Sequence, residues 1–350
     1  MSDFLNRRRH DRWRFFCLIA LCLPALFAEP YVFADDAVPA NVQSAVDSGL
    51  TFLVSQQQDD GSFPAGLGAK PAVTSLAIMA FLARGYTPAH GPYHKVIDKA
   101  INWVISIQQP DGYIVQDQGQ MYDHGISTVM LTEVYGMVDP SQQPRVAAAL
   151  SKALRLILTA QNDSGSDADG GWRYQPNSND ADISCSGWQL MALRGAADCG
   201  AALPADAIRR GIDFVERDAC PQGGFGYTVG GGPNQARSGT GILALELLGQ
   251  HNSPAVANAG DWLLANPLEA NSEFYYYAVY YCSQAVNQLG GQYWNQIYPQ
   301  IRQQLLDLQF PDGSWVPPGG IEEQGGKVYA TSMAILALCI PYHYLPLYQQ

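Results

Sequence analysis

"QFPDGSW" (309–315) is a phrase this chain writes more than once. "QQDDGSF" (57–63) and "QQPDGYI" (108–114) place a glutamine, an Asp-Gly pair and a large apolar residue at the same offsets. "QNDSGSDADGGW" (161–172) carries the phrase with an insertion, the fourth copy replaces its glutamine with Ala219, and "ANPLEANSEF" (265–274) has lost it. A phrase that recurs along the whole chain implies a repeating unit.

Between the phrases the sequence reads as six helix pairs. The first helix of each pair (42–57, 94–109, 145–161, 204–219, 252–266 and 298–309) has apolar residues at three-and-four spacing with polar residues between, which predicts one wet face. The second helices (72–85, 124–137, 182–196, 236–249, 274–290 and 328–341) are apolar on most sides and rich in Ala, Ser and Thr, which predicts burial. Gly85, Gly136, Gly195, Gly249 and Gly290 are expected to end five of them. An open stack would expose the apolar helices along one face, whereas a ring buries them. The expected fold is therefore all-α: an (α/α)6 toroid with six inner and six outer helices. Gln57, Gln108, Gln161 and Gln309 then fall in the last turn of outer helices, where an amide satisfies orphan carbonyls and bridges to the next pair. Asp-Gly makes the turn, and Phe63, Trp172, Phe225 and Trp315 are wedges between pairs. The phrase is a structural joint and carries no chemistry by itself.

Residues 1–34 stand apart. "RRRHDRWR" (7–14), the apolar run "FFCLIALCLPALF" (15–27) and "VFA" before "DD" form a signal peptide with cleavage expected after Ala34, leaving 35–350 as one toroid domain, periplasmic or extracellular. A lipoprotein anchor at Cys22 fits less well because Leu21 is bulky where a small residue is needed. The Arg run is also compatible with twin-arginine export. The net charge of −12 becomes −14 on cleavage, since five Arg and three acidic residues leave and 15 basic and 29 acidic residues remain. Such a surface repels nucleic acid and anionic membranes. With no phosphate loop or basic cluster in the remainder, it also speaks against soluble phosphorylated substrates. Peripheral association with the envelope stays open, and no protein partner can be named. Five cysteines are left (Cys185, Cys199, Cys220, Cys282 and Cys339), irregularly spaced, without a disulfide framework or a paired zinc signature. Cys185, Cys282 and Cys339 read as buried thiols, and Cys199 and Cys220 flank a helix that holds them on the order of 20 Å apart.

The recurring Gln-x-x-Asp-Gly-x-(Trp/Phe) joint, over about residues 41–343, resembles the repeats of squalene and oxidosqualene cyclases and of protein prenyltransferase β subunits. The resemblance implies an α/α toroid whose apolar central cavity holds an isoprenoid. Class II triterpene cyclases protonate an alkene or epoxide with an Asp-x-Asp-Asp motif. Here "NDADIS" (179–184) supplies Asp180 and Asp182 with Ile183 in the fourth place. Aligned through Trp188 instead, Asp182 takes the family's last Asp and Ala181 the place of the acid. Those cyclases usually carry two barrels, where this chain has room for one. "DISCSGW" (182–188) resembles the zinc-bearing stretch of protein prenyltransferases, but Ser184 stands where the Cys ligand belongs, Cys185 is one place late, and Ala330 occupies the His position. No zinc site is expected, nor any other metal or cofactor. The thioester motif of complement-like toroids is absent.

An active centre in such a ring belongs where the inner helices begin. Asp180 and Asp182 are the leading acid candidates, since two carboxylates facing one cavity can share a proton; the plain alternative is that Asp182 caps its helix and Asp180 is solvated. Asp123 and His124 form a conceivable acid/base couple, or else a cap and a joint contact. Arg237 can hold an anion or pair with Glu246. Trp188, Tyr277, Tyr280, Tyr281 and Tyr329 are candidate lining for an apolar or cationic ligand, with core packing the rival role. Glu322, Glu323 and Lys327 sit in a Gly-rich loop that can fold over the mouth, with a solvated loop the plainer reading. The expected function is an exported, cyclase-like toroid that accommodates an isoprenoid-like molecule and, if active, acts as an acid-catalysed isomerase. Two rivals remain: a non-catalytic binding or interaction module, and a carbohydrate-active (α/α)6 enzyme with paired carboxylates across its mouth.

Overall fold

The computed structural model describes residues 38–349 apart from Leu67 and Glu273, so the stretch read as a leader, 1–34, lies outside the described residues. Among the described residues twelve α-helices alternate between two kinds. One kind comprises α1 (Ala40–Gln56), α3 (His94–Ser106), α5 (Gln143–Ala160), α7 (Ala205–Arg217), α9 (Pro254–Ala265) and α11 (Gly291–Leu308). The other comprises α2 (Lys70–Ala83), α4 (Met121–Val134), α6 (Ile183–Asp198), α8 (Gln235–Leu247), α10 (Tyr275–Leu289) and α12 (Gly326–Leu338). In α7 only Ala207, Gly211, Phe214 and Val215 are buried, a single stripe. In α2 every residue after Lys70 is buried. Amphipathic helices therefore lie outside and apolar ones inside. Each inner helix packs on the one before it and the one after it, and α12 packs on α2, which closes the ring. Small residues permit the close approach: a Cβ on Gly239 of α8 would lie 2.7 Å from the backbone nitrogen of Cys282 in α10.

The joints work through the glutamine amide. Gln57 Nε2 donates to the carbonyls of Gly61 (3.1 Å) and Val96 (2.8 Å), Gln108 Nε2 to Gly112 (3.0 Å) and Ala149 (2.9 Å), and Gln309 Nε2 to Gly313 (3.0 Å) and Ala45 (2.8 Å). Gln161 Nε2 repeats the pattern with Gly170 and Ala207, both at 2.9 Å. Each amide thus ties its own turn to the following outer helix, and Gln309 ties the last joint to the first helix. The joint glycine is obligatory for a second reason: Gly112 has φ of 102°, and a Cβ there would sit 2.4 Å from the carbonyl oxygen of Lys152. The wedges Phe63, Trp172, Phe225 and Trp315 are fully buried. Their backbone amides donate to hydroxyls on the next inner helix: Thr74, Ser186, Ser238 and Thr331.

Two boundaries differ from the sequence reading. Gly195 lies inside α6, which runs on to Asp198 with Gly200 at positive φ beyond it. Gly195 serves packing instead, since a Cβ would meet the Thr132 hydroxyl at 2.4 Å. The last outer helix begins at Gly291, seven residues before the expected start, and carries Pro299 within it. Gly290, at φ 62°, separates α10 from α11 so tightly that the chain turns straight into the new helix.

The segment 340–349 crosses the end of the ring where the inner helices finish. Leu347 N donates to Glu133 Oε1 of α4 (3.1 Å), Gln288 Nε2 of α10 donates to the Tyr348 carbonyl (3.3 Å), and the Tyr348 hydroxyl bonds that of Tyr280. The opposite end, where the inner helices start, is the mouth the sequence singled out.

Candidate functional site

Asp182 stands at that end of the ring, at the start of α6. Its φ of −140° places it just outside α6 as the N-cap, and Oδ1 accepts from Cys185 N at 2.8 Å. Oδ2 accepts from the Tyr227 hydroxyl at 3.3 Å and lies 3.4 Å from Arg173 Nε. The carboxyl is fully buried, and burial pushes it up to about 6 despite the hydrogen bonds and the guanidinium that oppose the shift. Asp180 also reaches Arg173 (3.5 Å), but its side chain is largely exposed. The two carboxylates therefore share a guanidinium, and their surroundings differ. Arg173 further lies over the rings of Tyr174 (4.5 Å) and Tyr227 (5.1 Å).

An aromatic wall faces this acid. Tyr277 of α10 donates to the Ser184 carbonyl at the start of α6 (3.3 Å). Deeper in the ring, Trp188 of α6 stacks on Tyr280 (5.4 Å, 10°) and meets Tyr281 edge-on (5.5 Å). α6 and α10 flank α8 on its two sides, so these contacts cross the lumen. Burial first, and then the Asp182 charge, push the phenols of Tyr122 and Tyr227 up; Tyr277 is raised by the same two causes. Tyr329 joins from α12 by donating to Glu322 Oε1 (3.1 Å). Glu322, read from sequence as part of a solvated loop, is buried: its oxygens accept from the backbone of Tyr277 (2.9 Å) and Tyr276 (3.3 Å), and it caps α10, which has no capping side chain of its own. Lys327 pairs with Asp312 (3.1 Å).

The other candidates stand apart from this cluster. Asp123 is buried and caps two inner helices at once, accepting from Gln120 N (2.9 Å) and from Ala72 N of α2 (3.1 Å); burial pushes it up to about 7. His124 is fully buried, with Nδ1 accepting from Ile114 N and Nε2 donating to the Ala153 carbonyl, both at 3.1 Å. It occupies the joint position held elsewhere by a Ser or Thr hydroxyl. Burial pushes it down to about 4, so the ring is neutral. Both groups bond to backbone partners and not to each other. Arg237 donates to the Gly232 carbonyl (3.2 Å) and lies over Tyr227 (5.2 Å), while Glu246 pairs with His251. Among the described residues no group of three or more His, Cys, Asp or Glu is arranged to hold a metal ion, and no helix is long and apolar enough to cross a membrane.

Sequence reasoning missed Arg173, Tyr174 and Tyr227, which lie in loops without a motif. It also missed Asp218, a buried carboxyl in the fourth joint, where the sign was a charged residue beside the replaced glutamine.

The fold is a closed α/α toroid with a buried acid, Arg173 and aromatic side chains gathered where its inner helices begin. The sequence profile of the prenyltransferase alpha-alpha toroid domain family matches residues 15–275 and 265–347, and the chain belongs to that family. A drimenyl diphosphate synthase from Streptantibioticus cattleyicolor is 26% identical over 191 residues, which are 54% of this chain and 33% of that enzyme, so the match spans about a third of the curated relative's length. The apo type II terpene cyclase MstE from Scytonema superposes with a TM-score of 0.57 at 14% identity, covering 87% of this chain and 99% of that one. An inactive variant of the alpha-1,6-mannanase GH76A of Salegentibacter sp. HEL1_6, in complex with alpha-1,6-mannotriose, superposes with a TM-score of 0.64 at 10% identity, covering 86% and 99%. At these identities the structural likeness is one of fold.

Proposed function

We propose that this protein is an exported terpenoid-cyclase-like toroid that takes an apolar, isoprenoid-like molecule into its mouth, with Asp182 as the acid of any isomerisation. The observation that carries the reading is Asp182 itself: a fully buried carboxyl, raised to about 6, set against Tyr122, Tyr227 and Tyr277. A carboxyl raised by burial keeps a neutral fraction in mildly acidic surroundings, and aromatic faces stabilise a cation formed beside it. Supporting it from outside are the family membership, the relative named drimenyl diphosphate synthase, and MstE structures solved with geranylgeranyl dihydroxybenzoate and merosterolic acid A. Trp188, Tyr280 and Tyr281 pack together across the lumen, so a ligand deeper than the mouth requires those rings to move. Arg237 and Tyr329 are the residues assigned to the ligand's outer end in this reading.

One observation favours a binding module without chemistry. Both Asp182 oxygens are engaged, by a helix amide and by Tyr227, with Arg173 alongside, and Ala181 stands where the family's acid belongs. Residues 35–350 purified from the native envelope fraction, alongside Asp182→Asn, separate the two readings by native mass spectrometry with organic extraction. Asn keeps the N-cap. A co-purifying isoprenoid whose ratio of forms changes in the variant supports the acid; unchanged lipid in both supports the module; absence of lipid from both removes the isoprenoid reading.

A further inference from the structure

Asp218 has a structural cost with no structural return. It follows α7, only 2% exposed, and neither carboxyl oxygen has a hydrogen-bond partner among the described residues. Burying an unpartnered acid is unfavourable by several kcal/mol unless it keeps its proton. The corresponding positions in the other joints, Gln56, Ile107, Ala160 and Leu308, show that the turn does not require an acid there. Nothing in the joint compensates. Arg217, the last residue of α7, makes no ion pair with it: one guanidinium nitrogen donates to the Asp169 carbonyl, and Nε has no partner among the described residues.

Asp218 and Asp182 are connected by one short strip of chain. Gly226 N donates to the Asp218 carbonyl (2.9 Å), while the next residue, Tyr227, accepts from Ile183 N (3.2 Å) and donates from its hydroxyl to Asp182 Oδ2 (3.3 Å). Their environments are opposite. Asp182 has a helix amide, a phenol and Arg173 to hold a negative charge; Asp218 has none of these.

We infer that Asp218 and Asp182 form one coupled acid pair at the mouth, in which Asp218 holds the proton and Asp182 the charge. The neighbouring charges agree with this. Asp218 is pushed up to about 8, by burial first and then by the Asp182 charge, with Arg217 opposing and Asp167 adding to the shift. Arg173, Asp180, Tyr174, Tyr227, Cys220 and Arg237 are the other titratable or charged groups around the strip. Asp218 acts through Asp182 and is a positioning residue: near neutral pH it keeps a proton beside Asp182, the member of the pair that ionises first. Its use as a proton source rests on the cyclase-like reading. The pair itself is tested without any ligand.

The test is a carboxyl titration by NMR on protein carrying 13C-labelled aspartate, comparing wild type, Asp182→Asn, Asp218→Asn and Asp167→Asn. In wild type Asp218 titrates above pH 7 and Asp182 near 6, each assigned by the loss of its signal in its own variant, with buried Asp123 near 7 as a third raised signal. Asp218 is still neutral while Asp182 titrates, so Asp182→Asn lowers the Asp218 midpoint by roughly 0.5 or more, whereas Asp218→Asn and Asp167→Asn leave the Asp182 midpoint near its wild-type place. The Asp218 midpoint staying fixed in Asp182→Asn overturns the pair, as does Asp218 titrating in the ordinary carboxylate range. Those outcomes are independent of whether an isoprenoid binds.

Discussion

Joints three and four are adjacent in the ring and solve the same problem with different residues. In joint three the Gln161 amide donates to two carbonyls while its oxygen accepts from Arg210 (2.9 Å), so every polar atom is used. Joint four has Ala219 in that place, yet its turn persists: Ala219 pairs with Phe225, Gly223 has φ of 90°, and Phe225 N still donates to an inner-helix hydroxyl. The turn therefore depends on the glycine and the wedge, and the amide is an added tie. Once the amide is dispensable, the joint can carry an acid such as Asp218.

The comparison is tested most severely at the glycines. A Cβ at Gly170 would fall 2.0 Å from the Arg210 carbonyl oxygen at φ 83°, so Gly170→Ala is expected to destabilise by about 3 kcal/mol in urea unfolding. At Gly136, also at φ 83° but with open space around it, the same change is expected to lose only about 1 kcal/mol. Equal losses would mean that contact with the next outer helix does not hold the joint.

Gln161→Ala should destabilise by about 2 kcal/mol, because it leaves two buried carbonyls and an arginine short of a partner. A negligible loss would make the amide ornamental in joint three as well.

Asp218→Asn sharpens the contrast through pH. Asp218 is raised from 3.8 to about 8 on folding, so the folded state binds the extra proton and its stability declines as pH rises from about 4 to about 8. The variant lacks that decline. It is expected to exceed wild type by several kcal/mol at pH 9, roughly 1.4 for each pH unit between the unfolded and folded midpoints, and to match it at pH 4, read from thermal or urea unfolding across the range. A wild-type profile that rises over this window contradicts the assignment. Tyr227→Phe is the mildest change: it removes the long hydrogen bond to Asp182 and the hydroxyl contact with Tyr174, with a loss of about 1 kcal/mol and an upward move of the Asp182 midpoint.

Much of the architecture was legible because its determinants are local. Period and composition separate α7 from α2 without knowledge of what either touches. The joint phrase encodes a turn, a tie and a wedge within seven residues. Gly195 was misplaced because a glycine near a helix end reads the same whether it stops the helix or lets Thr132 approach. Glu322 was misread because a Gly-rich loop looks solvated until the unpartnered N-terminus of α10 is seen above it.

The site was legible only in part. By itself the sequence determined the six pairs, their inner and outer faces, the closure of the ring and the end at which polar residues gather. Tertiary structure alone decided that Asp182 meets Arg173 and Tyr227, that Asp123 and His124 bond to backbone, and that Asp218 is buried without a partner. Helix period and turn geometry are fixed by neighbours a few residues apart. Burial, hydrogen bonding and the field around a carboxyl are set by groups dozens of residues away, brought together only when the ring closes.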